Sequence, residues 1–104
     1  MVKFKATDEY SVWFKKQTLK ARHQINARLV QIKFYGHFGN SKRLGDDLFE
    51  LKWKNGRRIY FSMVIDEDGK VLVLLLGGNK NSQDKDIRSA RRILGKFLKG
   101  NRDE

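Results

Sequence analysis

The sequence predicts an α+β domain, on three observations. Residues 48–80 read as three strand-like runs joined by two glycine-containing turns, Lys54-Asn55-Gly56 and Asp66-Glu67-Asp68-Gly69. Helical stripes of apolar residues precede the runs, and another follows them. The chain has 104 residues, 39% hydrophobic and 12% aromatic, which suits one domain with a single core.

Taken in order, Val2-Lys3-Phe4-Lys5 alternates and reads as a short first strand. Thr7 or Asp8 can cap a helix reaching about Lys16, with Tyr10, Trp13 and Phe14 on one side. A second helix runs from Thr18 or Leu19 to Tyr35, its core stripe being Ala21, Ile25, Leu29 and Ile32. Gly36 is placed to end it. Residues 37–45 form a glycine-punctuated loop with room for a short extended piece. The last run, Val71 to Leu76, does not alternate, so both of its faces should be covered. The terminal helix is the cover: Ser82 can cap it, Ile87, Ala90, Leu94 and Phe97 form its stripe, and Gly100 ends it, with 101–104 frayed. Lys85, Arg88, Arg91, Arg92 and Lys96 keep its outer side basic.

Pattern also sets the register of the first hairpin. A two-residue Asn-Gly turn would place Trp53 opposite Arg58 and Leu51 opposite Tyr60, mixing apolar and polar residues on both faces. A three-residue loop with Gly56 left-handed places Leu51 opposite Ile59 and Phe49 opposite Phe61. A one-residue slip exchanges the faces, so the clean partition is favoured. Glu50, Lys52, Arg58, Tyr60 and Ser62 then share the other face, with Lys52 directly opposite Arg58. Like charges so placed are destabilising. Either something anionic binds there, or the face is solvated and Glu50 neutralises the pair.

The balance of 23 Lys plus Arg against 12 Asp plus Glu gives a net charge of +11. That excess predicts affinity for polyanions, chiefly nucleic acid. Disulfides and thiolate metal sites are excluded because there is no cysteine. The N-terminus carries no signal-like apolar stretch, and Val71 to Leu76 is far too short to span a bilayer, so a cytoplasmic protein without a membrane partner is expected.

His23 and His37 lack metal-ligand spacing and read as surface histidines. No serine has a nucleophile-elbow context. Gly77-Gly78-Asn79-Lys80 lacks the phosphate-loop pattern, and Asp46-Asp47 reads as a solubilising pair beside a turn. What remains is a cation set: Lys42, Lys52, Arg58 and Lys80, with Lys54 and Arg57 beside them at the hairpin tip. Such a set can hold an RNA backbone and neutralise charge developing on a phosphate. Tyr60 offers a ring for base stacking or a hydroxyl for hydrogen bonding. Each cation alone is ordinary surface charge; their convergence carries the information.

Phe49-Glu50-Leu51-Lys52, Gly56-Arg57-Arg58-Ile59-Tyr60-Phe61 and the stretch Leu74 to Ile87, with its GGNKNSQDKDI, resemble the RelE/HigB toxin superfamily, closest to its phage-derived killer-protein (HigB-like) subgroup. Trp13-Phe14, Ala27-Arg28-Leu29 and Phe38 to Lys42 continue the resemblance upstream. It implies a small antiparallel sheet with two N-terminal helices on one face and a C-terminal helix, and a basic concave site opposite the N-terminal pair. It further implies a toxin of a type II toxin–antitoxin pair that cuts mRNA on the ribosome without a metal or other cofactor, the ribose 2′-hydroxyl attacking the adjacent phosphate. On that pattern Arg58 and Lys80 stabilise the phosphorane-like transition state, Lys52 orients or helps activate the 2′-hydroxyl, and Lys42 grips the RNA backbone. Lys54, Arg57 and Tyr60 would add RNA contacts.

The implied partners are the ribosome, mRNA and a cognate helix-turn-helix antitoxin, with operator DNA reached only through the antitoxin. The sequence departs from the pattern in one respect. Several RelE-type nucleases carry a Tyr or His early in the last helix or near the C-terminus, where Asp86 stands here, and Phe97 is the one aromatic after Phe61. A gyrase poison of ParE type on the same fold and a non-catalytic RNA- or ribosome-binding module are the alternatives.

Overall fold

The computed structural model describes residues 2–100. The chain runs β1 (Lys3–Ala6), α1 (Asp8–Lys15), α2 (Leu19–Tyr35), β2 (Ser41–Gly45), β3 (Leu48–Lys52), β4 (Arg57–Asp66), β5 (Gly69–Asn79), a 3-10 turn (Lys80–Ser82) and α3 (Gln83–Gly100). The five strands form one sheet in the order β1-β5-β4-β3-β2. It is antiparallel except at one edge, where β1 lies parallel to β5. The expected fraying of 101–104 falls outside the described residues.

Helix boundaries follow their local chemistry. The Thr7 hydroxyl accepts from the Tyr10 amide at the start of α1, and that of Thr18 accepts from the Ala21 amide at the start of α2. Gly36, left-handed at φ 69°, closes α2. Ser82 does not cap the last helix. Asn79 caps the 3-10 turn by accepting from the Asn81 amide, α3 begins at Gln83, and the Ser82 hydroxyl donates to the Asp86 carboxylate.

The β3–β4 hairpin has the three-residue loop: Phe49 pairs with Phe61, Leu51 with Ile59 and Lys52 with Arg58. The Trp53 amide donates to the Arg57 carbonyl at 3.0 Å, and Gly56 takes φ 99°. Where the sequence reads as a loop, Ser41–Gly45 pairs with β3 as an edge strand through a turn at Asp46-Asp47, both at positive φ. The Ser62 hydroxyl braces that turn at the Asp47 carbonyl, 2.7 Å away.

Each face of the sheet carries a core. Tyr10, Ile25 and Ile32 of the N-terminal helices pack on Leu51, Ile59, Phe61, Leu72 and Leu74. Ala90, Ile93 and Leu94 of α3 pack on Leu48, Tyr60, Val71, Val73 and Leu75 on the other side. Ile93 joins the stripe expected for α3. Two-sided cover explains why β5 does not alternate, and a bulge adds a second reason. Tyr60 pairs with Leu76 but Phe61 with Leu74, so Leu75 is an extra residue that shifts the phase of everything beyond it. Gly77 consequently faces Trp13 and Gly78 faces Asp86, and a Cβ at either position would overlap its neighbour.

Burial overturns one expectation. Tyr60 is 0% exposed under α3, so its ring offers no surface to a base. Its hydroxyl is buried with no hydrogen-bond partner among the described residues. Burial, and then the nearby Glu50 and Asp86 carboxylates, push the phenol pKa up from its ordinary value.

This packing predicts the outcome of three substitutions. Gly77→Ala should destabilise the fold by about 1–3 kcal/mol in urea titration, because the added methyl meets the Trp13 ring, whereas Gly95→Ala, which meets nothing within 4 Å in α3, should stabilise it by up to about 1 kcal/mol. Tyr60→Phe should leave stability level or raise it by up to about 1 kcal/mol, since it removes an unpaired buried hydroxyl; a loss larger than that in the same titration would show the hydroxyl to be bonded.

Candidate nucleic-acid interface

The hairpin register places Lys52 and Arg58 side by side on the face that α3 covers. Both lie at the end of the sheet that α3 approaches with its first turn, near Gln83. Arg58 is largely buried, 9% exposed, and its position is fixed. Nη1 donates to the Arg57 carbonyl at 3.0 Å and the Trp53 carbonyl at 3.3 Å, while Nε lies 3.9 Å from the Glu50 carboxylate. Glu50 is 0% exposed and accepts a hydrogen bond from Gln83 Nε2 at 2.5 Å. The solvated-face alternative is thus half realised. A buried carboxylate does counter Arg58, but it is not solvated and pairs with no lysine among the described residues.

The lysines remain open. Lys42, on the exposed edge strand, stands across from Glu50, and Lys52 is next in line on β3. Lys80 follows the end of β5: its amide donates to the Gly56 carbonyl at 2.8 Å, and its methylenes run past Gly56. Lys54 is exposed at the hairpin tip. Among the described residues none of these four ammonium groups has an ion-pair or hydrogen-bond partner. Lys52, Arg58 and Lys80 therefore border one end of the sheet around the hairpin, with Lys42 on the same face at the edge.

Arg57 and Tyr60 do not join them. Alternation turns Arg57 to the α2 side, where both Nη atoms lie 3.3 Å from Gln24 Oε1 and the guanidinium sits 5.5 Å from the Trp53 ring centroid. Tyr60, as noted, lies beneath α3.

Two supporting groups went unassigned in the sequence. Arg28 of α2 donates to the carbonyls of Phe38, Asn40 and Lys52 and lies 4.3 Å from the Trp53 ring centroid. It ties the entrance of β2 and the exit of β3 to the helix and so fixes where Lys52 leaves the sheet. Burial lowers its pKa from the usual value. Gly39, left-handed at φ 68°, lets the guanidinium approach. Gln83 is the second. Its clue was the polar GGNKNSQDKDI stretch, but only the fold brings it onto Glu50. Among the described residues no group of three His, Asp or Glu side chains could hold a metal ion, and no helix is long and apolar enough to cross a membrane.

Comparison with known proteins places this arrangement. No protein-family profile matches the sequence. The chain resembles the free-state mutant of the Escherichia coli toxin RelE (TM-score 0.65, 16% identity, 88% of this chain and 97% of that one). It also resembles a chain of the intact E. coli RelBE toxin–antitoxin complex (TM-score 0.61, 16% identity, 76% and 96%). A YoeB/ParE toxin from Agrobacterium tumefaciens is similar too (TM-score 0.60, 13% identity, 75% and 98%). At such identities the likeness is one of fold. In sequence, a Haemophilus influenzae protein described only as uncharacterized is 37% identical over 93 residues, 86% of this chain and 90% of its own length. The chain belongs to one family with that Haemophilus influenzae protein, and its fold is that of the RelE-type toxins.

Proposed function

We propose that the protein is the toxin of a toxin–antitoxin pair, of the HigB-like kind, and that it cleaves mRNA on the ribosome. The observation that carries this reading is a fixed guanidinium, Arg58, standing at one end of the sheet between ammonium groups that have no partner among the described residues. In-line attack of a ribose 2′-hydroxyl on the adjacent 3′-phosphate forms the O2′–P bond and breaks the P–O5′ bond, leaving a cyclic phosphate and a 5′-hydroxyl to which the 2′ proton is in net transferred, and negative charge builds on the phosphoryl oxygens on the way. Catalysis then consists chiefly of positioning and of charge stabilisation by preorganised donors.

Arg58 meets that requirement because its Nη1 is held by two backbone carbonyls and its Nε faces the Glu50 carboxylate at 3.9 Å, beyond hydrogen-bond reach. Nη2, free of protein partners among the described residues, is left for a phosphate oxygen. No rotamer freedom has to be lost when substrate arrives. Lys80 supplies a second charge from the end of β5, Lys52 lies beside the sugar that must be oriented, and Lys42 and Lys54 hold the backbone on either side. No group beyond the chain's own side chains enters this scheme. The RelBE resemblance supports an antitoxin as the neutralising partner; the ribosome supplies the mRNA.

The similarity to a chain described as YoeB/ParE keeps a gyrase-poisoning reading in view, and induction separates the two. Purified protein added to a translating extract should truncate mRNA, and induction in cells should deplete mRNA without DNA breaks. Arg58→Ala and Lys80→Ala should each reduce cleavage by about 10²–10³-fold while weakening RNA affinity only a few-fold. Lys54→Ala should instead weaken binding modestly and lower its salt dependence, as expected for a phosphate contact. Intact mRNA in the extract, or DNA breaks on induction, would overturn the assignment.

A further inference from the structure

Arg57 and Arg58 are adjacent in the chain but stand on opposite faces of the sheet, and only Arg58 belongs to the phosphate-binding set. Arg57 lines a cleft of about 260 Å³ on the α1 side, with Trp13, Gln17, Asn55, Gly78 and Asn79. The cleft lies just below the ~300–1,000 Å³ of pockets for drug-sized ligands, the scale of a single planar ring system. No carboxylate lines it.

Its walls combine an aromatic surface with oriented amides. The Trp13 ring packs against the Gly77 backbone in the space a Cβ would fill. Gln17 donates through Nε2 to the Trp13 carbonyl at 3.0 Å, which leaves Oε1 as an acceptor. Asn55 accepts from the Arg57 amide at 2.9 Å, and Asn79 accepts from the Asn81 amide at 2.8 Å. Each Asn Nδ2 is thereby held as a donor, with no partner among the described residues. Fixed donors and acceptors beside an aromatic ring are what reading the edge of an unpaired base requires.

The cleft also adjoins the phosphate-binding end. Gly78 pairs with Arg58 and Asn79 with Arg57, so the last two residues of β5 border both sites, and Lys80 begins immediately beyond. A single strand whose phosphate rests on Arg58 and Lys80 need only turn around the end of β5 for its neighbouring nucleotide to reach the cleft.

We propose that this cleft is a nucleobase subsite, taking the base of single-stranded RNA next to the linkage held by Arg58 and Lys80, with Gln17 and Asn55 setting base preference there. The assignment deepens the RNA-cleaving reading and rests on it for its place in a reaction. Its test uses the full chain, Gln17→Ala, and Asn55→Ser, in which the hydroxyl can still accept from the Arg57 amide.

The wild type is titrated with a short oligoribonucleotide and with the same oligomer made abasic, following affinity and the side-chain amide resonances of Gln17 and Asn55. The intact oligomer should bind about tenfold tighter and shift both amides. Either substitution should erase most of that advantage. In cleavage-site maps from the translating extract, with each map normalised to its own total cleavage, both variants should flatten base preference at one position about tenfold. Equal affinity for the two oligomers, or unchanged cleavage maps from active variants, would overturn the subsite. Base-dependent binding by a wild type that cuts no RNA would refute the nuclease reading while upholding the subsite.

Discussion

The Thr7 hydroxyl holds the most consequential junction in the molecule. It accepts from the Tyr10 amide to start α1 and donates to the Leu75 carbonyl at 2.8 Å. The backbone amide of the same residue donates to the Leu74 carbonyl at 3.0 Å. Leu75 is the bulged residue of β5, and a bulge leaves part of the ladder to be satisfied from elsewhere. One side chain thus fixes the start of the first helix and the point where β5 changes phase. Every residue of β5 past that point inherits its face from the bulge: Gly77 toward Trp13, Gly78 toward Asp86, and with them the place from which Lys80 departs.

Electrostatics at this same end of the sheet follow from a second buried interaction. A carboxylate with no solvent exposure is unfavourable unless charge and hydrogen bonds compensate it. Glu50 receives opposite charge from Arg58 of β4, 3.9 Å away, and one hydrogen bond, at Oε2 from Gln83 of α3, while its buried Oε1 has no partner among the described residues. The outcome serves positioning more than stability, since a buried ion pair contributes little net free energy relative to apolar residues of similar shape. Arg58 cannot swing away, and the first turn of α3 is registered against β3. The surrounding lysines are held only by their backbones, so the site pairs one immobile cation with several that can adapt to a flexible ligand.

Much of this was legible in the chain. The hairpin register followed from alternation, because only the three-residue loop keeps Phe49, Leu51, Ile59 and Phe61 on one face, and with it came the Lys52–Arg58 pairing. Helix limits followed from Thr7, Thr18 and Gly36, whose chemistry is local. What escaped was decided by tertiary contact. Ser41-Lys42-Arg43 carries no apolar alternation, because an exposed edge strand needs none and its charge discourages further pairing. Tyr60 sits in the polar phase of β4, and nothing within that strand says that α3 lies on top of it. Arg28 reads as one more surface cation on a basic chain until three carbonyls from a distant loop and strand converge on it.

The same alternation that made the hairpin readable separates Arg57 from Arg58. Grouping all the cations of the hairpin into one patch treats charge as a property of the sequence, whereas a strand sends neighbours to opposite sides. Two consecutive arginines at the end of a sheet therefore make two environments. Arg58 is held among carbonyls and a carboxylate, with one edge left for an anion. Arg57 lies over Trp53 with a single amide partner, beside a cleft of further amides. An RNA strand that touches both must wrap the end of the sheet, and a wrapped single strand presents its phosphate and its neighbouring base in different directions. On the proposed reading, the geometry of two adjacent residues thus joins a surface that holds a phosphate to one that tells bases apart.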